Sequence, residues 1–157
     1  MNDNIVIRSA KIEDAHDILK ITRQAFLSYI KLAEISDTKA LHETIEDVLY
    51  DINNKIVIVA EDAGQILGCV RVEITDDVNA YLSRFGVKSY LRNGGIGKAI
   101  IKAVDEKMTE HGIKKLWLHT SSKISSLVRF YYGRGFYIDS TDKSNGYIRA
   151  LFCKEYK

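Results

Sequence analysis

Apolar positions recur along the chain with two different periods, and the switches between them divide it into elements. Ile5 and Ile7 share a face, which predicts a short strand over 4–8. From about 12 to 30 the period becomes helical: Ala15, Ile18, Leu19, Thr22, Ala25, Phe26 and Tyr29 fall at i, i+3, i+4, i+7 spacing. A second helix is predicted over 38–52, capped by Asp37 or Thr38, with Leu41, Ile45, Val48, Leu49 and Ile52 as its stripe. The β-branched run 55–60 reads as a buried strand. The turn Asp62-Ala63-Gly64-Gln65 leads into a strand over 66–74, and Thr75-Asp76-Asp77 into a third over 79–88. Three consecutive strands joined by short turns predict an antiparallel meander.

The second half alternates differently. Ile96, Ala99, Ile100, Ala103, Val104 and Met108 predict a helix over 95–111, ended by Gly112 as a left-handed cap. Residues 115–120 read as a strand, so 79–120 is a strand–helix–strand unit, which should join parallel neighbours by a right-handed crossover. A further helix is predicted from Ser121 or Ser122 as cap to about 133, stopped by Gly133 and Gly135. Strands near 136–139 and 147–154 complete the chain as a hairpin whose loop closes on Asn145-Gly146. The pattern is that of an α+β protein with a mixed sheet.

With 157 residues the chain is expected to form a single domain over 1–157, since domains cluster near about 100–150 residues. Its apolar share of 46% and charged share of 28% exclude a disordered chain, a fibre and a disulfide scaffold. No stretch approaches the ~20 apolar residues of a membrane span. Met1-Asn2-Asp3-Asn4 lacks the basic cluster and apolar core of a secretion signal, so a cytoplasmic location and no membrane partner are expected. The net charge of +2, with both signs mixed, offers no basic stripe for a nucleic acid. Cys69 and Cys153 stand alone inside apolar runs and read as small buried hydrophobes.

The chemistry gathers in the loop Tyr90-Leu91-Arg92-Asn93-Gly94-Gly95-Ile96-Gly97-Lys98-Ala99, which joins a strand to a helix through three glycines in four residues. Helix starts present unpaired N–H groups and the positive end of the macrodipole, which together bind anions. Glycine lets a diphosphate approach that backbone, and Arg92 and Lys98 can add charge. A Walker loop is excluded, because Arg92 stands where its first glycine belongs and Ala99 where Ser or Thr must bind magnesium. A dinucleotide fingerprint fails at Ile100, where its third glycine should be.

The segment resembles the acyl-CoA-binding signature of the GNAT N-acetyltransferases, [RQ]-x-x-G-x-[GA], through Arg92, Gly95 and Gly97, with Gly94 an added match. The run Phe130-Tyr131-Tyr132 followed by Gly135-Phe136 resembles that family's second hallmark, and the order of elements resembles it over nearly the whole chain. The resemblance implies an acyl-CoA N-acyltransferase fold, acetyl-CoA as co-substrate, no metal, and a primary amine as acceptor, a small molecule or a protein amine; a homodimer is left open. It implies cofactor contacts from Arg92, Asn93, Gly94, Gly95, Ile96, Gly97 and Lys98, and from Phe85, Gly86 and Val87 on the preceding strand, whose backbone N–H would hold the oxyanion. The family often has Asn near the start of the last helix; Ile124 stands there, and Ser125 or Ser126 is its expected replacement.

Acetyl transfer also needs a neutral amine and a proton for the departing thiolate. A lysine-like amine is unprotonated in only roughly one molecule in 2,500 at pH 7, so a base or a desolvating pocket is required. By the resemblance Tyr131 is the proton donor and Tyr132 its structural neighbour. Glu73, near a strand end, is the leading base candidate through a water, although an exposed carboxylate is its ordinary reading. His119 ends a strand on the side where the acceptor should enter, with a hydrogen-bonded structural histidine as the ordinary reading. Tyr29, Lys31 and Glu34 are candidates for the acceptor wall. No Cys near Tyr131 favours direct attack in a ternary complex over a covalent enzyme intermediate. The rival reading is a non-catalytic acyl-CoA-binding sensor or interaction module of the same fold.

Overall fold

Ala63 and Gly64 both adopt left-handed φ, 51° and 83°, the geometry of a two-residue hairpin turn. They join β2 (Ile56–Asp62) to β3 (Gln65–Ile74), and β3 returns as β4 (Asn79–Val87) through a turn in which Asp76 Oδ1 accepts from the N–H groups of Val78 and Asn79. In this computed structural model, which describes residues 4–91 and 94–157, the expected meander is present and β1 (Val6–Ser9) pairs antiparallel with β2. β5 (Lys115–Ser121) then runs parallel to β4, and β7 (Arg149–Glu155) lies between β5 and β6 (Tyr137–Asp142). The strand order of the seven-stranded sheet is β1-β2-β3-β4-β5-β7-β6, with β4–β5 its one parallel pair among the described residues.

α1 (Ala15–Ala33) and α2 (Ile45–Asn54) cover one face, where Ile18, Ile21, Val48, Val57, Val59 and Cys69 form a buried cluster. α3 (Ile96–Glu110) and α4 (Ser125–Gly133) pack on the other, over the larger core of Val70, Val72, Leu82, Ile100, Val104, Leu118 and Phe152. Alternation along the strands produces this two-sided burial, because residues i and i+2 share a face. Both cysteines are buried and free. No described helix is long and apolar enough to cross a membrane.

Two helix starts differ from expectation. Thr44, not Asp37 or Thr38, caps α2: its hydroxyl accepts from the Asp47 N–H at 3.3 Å and the Asp47 carboxylate accepts from the Thr44 N–H at 2.9 Å. This reciprocal box outcompetes the earlier candidates, and Lys39–His42 becomes a separate 3-10 turn. α4 begins at Ser125 behind Ile124, because Ser121 still belongs to β5. The left-handed Gly112 does end α3, with Ile113 N–H donating to the Met108 carbonyl.

A charge in the core ties the α1–α2 side to the sheet. Arg71 of β3 is fully buried. Its Nη1 and Nη2 donate to the two Glu43 carboxylate oxygens at 2.5 and 2.6 Å, and Nη1 also reaches Asp51 at 2.9 Å. Nη2 further donates to the Thr22 hydroxyl at 3.2 Å. One guanidinium thus joins β3, α1, α2 and the connection between the helices. Removing one partner of a buried pair strands the other charge. Glu43→Ala should therefore lower the unfolding free energy by about 3–5 kcal/mol, measured by urea denaturation at pH 7; a change below about 1 kcal/mol would show that Asp51 and water suffice for Arg71.

Candidate active site

β4 and β5 pair over three rows, Asn79 with Lys115, Ala80 with Leu116 and Tyr81 with Trp117. Beyond them the strands part. On β4 the cause is a bulge: Arg84 and Phe85 together stand opposite Val70 of β3, and Arg84 takes a left-handed φ of 53°. The extra residue reverses the facing of the positions after it. Phe85 packs into the core beneath α3 and α4, while Gly86 faces α1, where an added Cβ would lie 2.8 Å from that of Ala25. On β5 the parting leaves the Ser121 N–H without a strand partner, and it donates to the Tyr29 hydroxyl of α1 at 2.9 Å.

The glycine loop ends at the gap. Gly94 N–H donates to the Leu91 carbonyl at 3.0 Å, and Gly95 caps α3 with a left-handed φ of 85°. Ala99 N–H already bonds the Gly95 carbonyl, so the N–H groups of Ile96, Gly97 and Lys98 head the helix without intrahelical partners. The Ile96 side chain is buried, and Lys98 is exposed. Gly97 is tighter than a phosphate loop alone would explain: an added Cβ would meet the rings of Phe85 at 3.1 Å and Phe130 at 3.3 Å. Arg92 and Asn93 lie outside the described residues. Ser125 and Ser126 are both exposed at the start of α4, and Ile124 before them is buried.

Tyr131 of α4 is 5% exposed, its ring packed among Phe85, Phe130, Phe136 and Phe152. Its hydroxyl has no hydrogen-bond partner among the described residues. Burial, and secondarily the nearby Tyr29, push its pKa well above the ordinary phenol value of 10, so it stays protonated. Tyr132 points away, 51% exposed, with its hydroxyl accepting from the Ile138 N–H.

Across the gap, on the α1 face, several half-buried groups converge. The Tyr81 hydroxyl lies 2.6 Å from His119 Nδ1, and the Tyr29 and Tyr147 hydroxyls are 2.9 Å apart. Burial first, and the charge of Arg149 next, lower the His119 pKa below its ordinary 6.5, which keeps the ring neutral at pH 7. Glu73 stands on the row of Tyr81 with its carboxylate exposed, and makes no hydrogen bond or ion pair with a described residue. Lys31 and Glu34 are exposed at the end of α1, Glu34 approaching Lys123 at 4.0 Å. Tyr147 and Arg149 belong to this group although the sequence offered no signal for them; only the placement of β7 beside β5 brings them to the gap. A cavity of about 570 Å³ lies between α1, through Ile21 and Ala25, and Val87–Ser89, and neither Tyr131 nor His119 lines it. No cluster of three or more His, Cys, Asp or Glu suited to a metal occurs among the described residues.

The fold is shared with solved acetyltransferases. PaiA N-acetyltransferase of Thermoplasma acidophilum, in complex with coenzyme A, superposes with a TM-score of 0.85 at 23% identity, covering 99% of this chain and 100% of that one. The ribosomal-protein-S18-alanine N-acetyltransferase of Escherichia coli does so at 0.77 and 13% identity, over 96% and 93% of the two chains. An uncharacterised N-acetyltransferase of Chlorobaculum tepidum is 23% identical over 114 residues; the match spans 73% of this chain and 66% of that relative's length. The family model for GNAT acetyltransferases matches residues 17–136, a stretch that holds most of α1, the bulged β4, the glycine loop, β5 and Tyr131, and the chain belongs to that family.

Proposed function

We propose that the protein transfers the acetyl group of acetyl-CoA to a primary amine by direct attack in a ternary complex. The observation that supports this reading is the gap between β4 and β5, with the free Tyr131 hydroxyl on one side and the Tyr81–His119 pair on the other. The domain, taken as one unit over 1–157, brings both co-substrates to that gap. The N–H groups of Ile96, Gly97 and Lys98, which have no intrahelical partners, the loop from Arg92 to Gly95, and Ser125 bind the polar arm of the cofactor. Backbone N–H groups of Phe85–Val87, turned by the bulge, hold the thioester oxygen as negative charge develops on it.

The amine nitrogen attacks the thioester carbon and loses a proton; the carbon–sulfur bond then breaks and the thiolate gains one. Tyr131, kept protonated by its burial, supplies the second proton. For the first, placement favours His119 over Glu73. With hydrogen on Nδ1, that N–H donates to the Tyr81 oxygen and leaves Nε2 free to accept, whereas the exposed Glu73 needs a water relay. A sensor of the same fold would have no use for a phenol and an imidazole on opposite sides of the gap.

Release of free thiol from acetyl-CoA across an amine panel tests the activity; no release with any amine would overturn it. Tyr131→Phe should lower kcat roughly 10–100-fold with melting temperature nearly unchanged, and Tyr132→Phe should do little. Equal effects of the two would refute the assignment of Tyr131.

The kcat of the native enzyme should fall at acid pH through a group with a pKa below 6.5, because His119 acts only while neutral. His119→Gln should remove that fall and lower kcat about 10²-fold, with Glu73→Gln changing it less than about threefold. The reverse pattern would assign the proton to Glu73.

Acetyl-CoA at 100 times its Kd should stabilise the fold by ~2.7 kcal/mol in thermal denaturation. Gly95→Val, which strains the left-handed cap, should abolish most of that gain; an unchanged gain would remove the loop from the cofactor site.

A further inference from the structure

Five half-buried side chains meet on the α1 face of the gap: Tyr29, Tyr81, His119, Tyr147 and Arg149. Four of them are paired through their polar atoms. Arg149 is the exception. Its Nε is buried without a hydrogen-bond partner, and its guanidinium makes no ion pair with a described residue. An arginine left so is costly to the fold unless something else meets its donors.

Strand register fixes where it points. Arg149 is opposite Ser121 and Leu151 opposite His119, so Arg149 shares the face of His119 and stands two residues further along, about 7 Å. Its positive charge is felt at Tyr81, His119 and Tyr147 on that face. Asp142 on β6 stands directly opposite by register and the two charges stabilise each other, but they form no ion pair, and Asp142 Oδ1 accepts instead from the Ser144 N–H and hydroxyl. Arg84, the other guanidinium at the bulge, donates to Glu43. The acceptor side of the gap therefore presents a forked cation with free donors, beside aromatic hydroxyls and a neutral imidazole.

We infer that the acceptor is a primary amine that also carries a carboxylate, the chemical class of the amino acids, and that Arg149 binds this carboxylate while His119 faces the amine. The inference rests on the amine-acetylating activity proposed above. Guanidinium and carboxylate match as a two-pronged pair, which fixes the acceptor's orientation as well as binding it. A polycationic acceptor would instead bring its amines up to a guanidinium that has no ion-pair partner among the described residues.

The test compares pairs that differ only by the carboxylate: phenylalanine with phenethylamine, lysine with cadaverine, and γ-aminobutyrate with propylamine. The native enzyme should favour the carboxylate-bearing member of at least one pair by about 10–100-fold in kcat/KM. In Arg149→Gln that ratio should fall to within about threefold, through KM for the acceptor, with KM for acetyl-CoA and the melting temperature little changed. Arg149→Lys, which keeps the charge but not the fork, should restore part of the ratio. Turnover of the decarboxylated members with equal or greater efficiency would overturn the inference and leave the acetyltransferase reading standing. A preference that survives in Arg149→Gln would also overturn it. Absence of turnover with every amine would overturn both. If Arg149→Gln does not fold, the native panel alone decides.

Discussion

Strands β4 and β5 share three rows of parallel pairing and then separate, and the Tyr81–His119 pair and the Tyr29–Ser121 contact flank that separation. A parallel pair continued to its end would close the space between the two strands. Separation exposes backbone donors on both strands, and each strand answers in its own way. β4 inserts one residue at Arg84–Phe85, which turns Gly86 toward α1 and Phe85 into the core. β5 hands its Ser121 N–H to the Tyr29 hydroxyl, so the gap is held open by a side chain from the opposite layer.

The two layers divide the work. The α3–α4 side contributes the helix start and the aromatic cluster that buries Tyr131, and the α1 side contributes the polar groups that line the gap. Gly97 lies where these demands meet. It must leave its N–H open at the head of α3 and also leave room for the stacked rings of Phe85 and Phe130, which are 5.6 Å apart. A residue that looks like a phosphate-loop glycine is thereby a packing glycine as well.

Arg71 connects the core to the bulge. Glu43, held by Arg71 through both of its oxygens, also accepts from Arg84 Nε at 3.3 Å, so the left-handed bulge residue is tied to the buried network. Burying a guanidinium with two carboxylates is a poor route to stability by itself. Here it ties the connection between α1 and α2, through Glu43, to the strand that carries the bulge.

Much of the fold was legible in the sequence because it is local. Hydrophobic period, the Ala63-Gly64 turn and the Gly112 cap depend on residues within a few positions of one another, and so does the helix start at Gly95. The two misplaced starts, at Thr44 and Ile124, are competitions between neighbouring caps that only the finished packing resolves. Tyr131 and the glycine loop were legible as candidates because their motifs are contiguous. The acceptor side was not. Tyr29, Tyr81, His119, Tyr147 and Arg149 come from α1, β4, β5, β7 and the loop before β7, residues spread over most of the chain. No spacing rule joins residues brought together by a strand that crosses back to insert between its neighbours. The same holds for Arg71, whose alternation with Val70 and Val72 reads as an ordinary two-faced strand. Only the helices laid over that face decide whether an arginine there is solvated or, as here, fully buried among carboxylates.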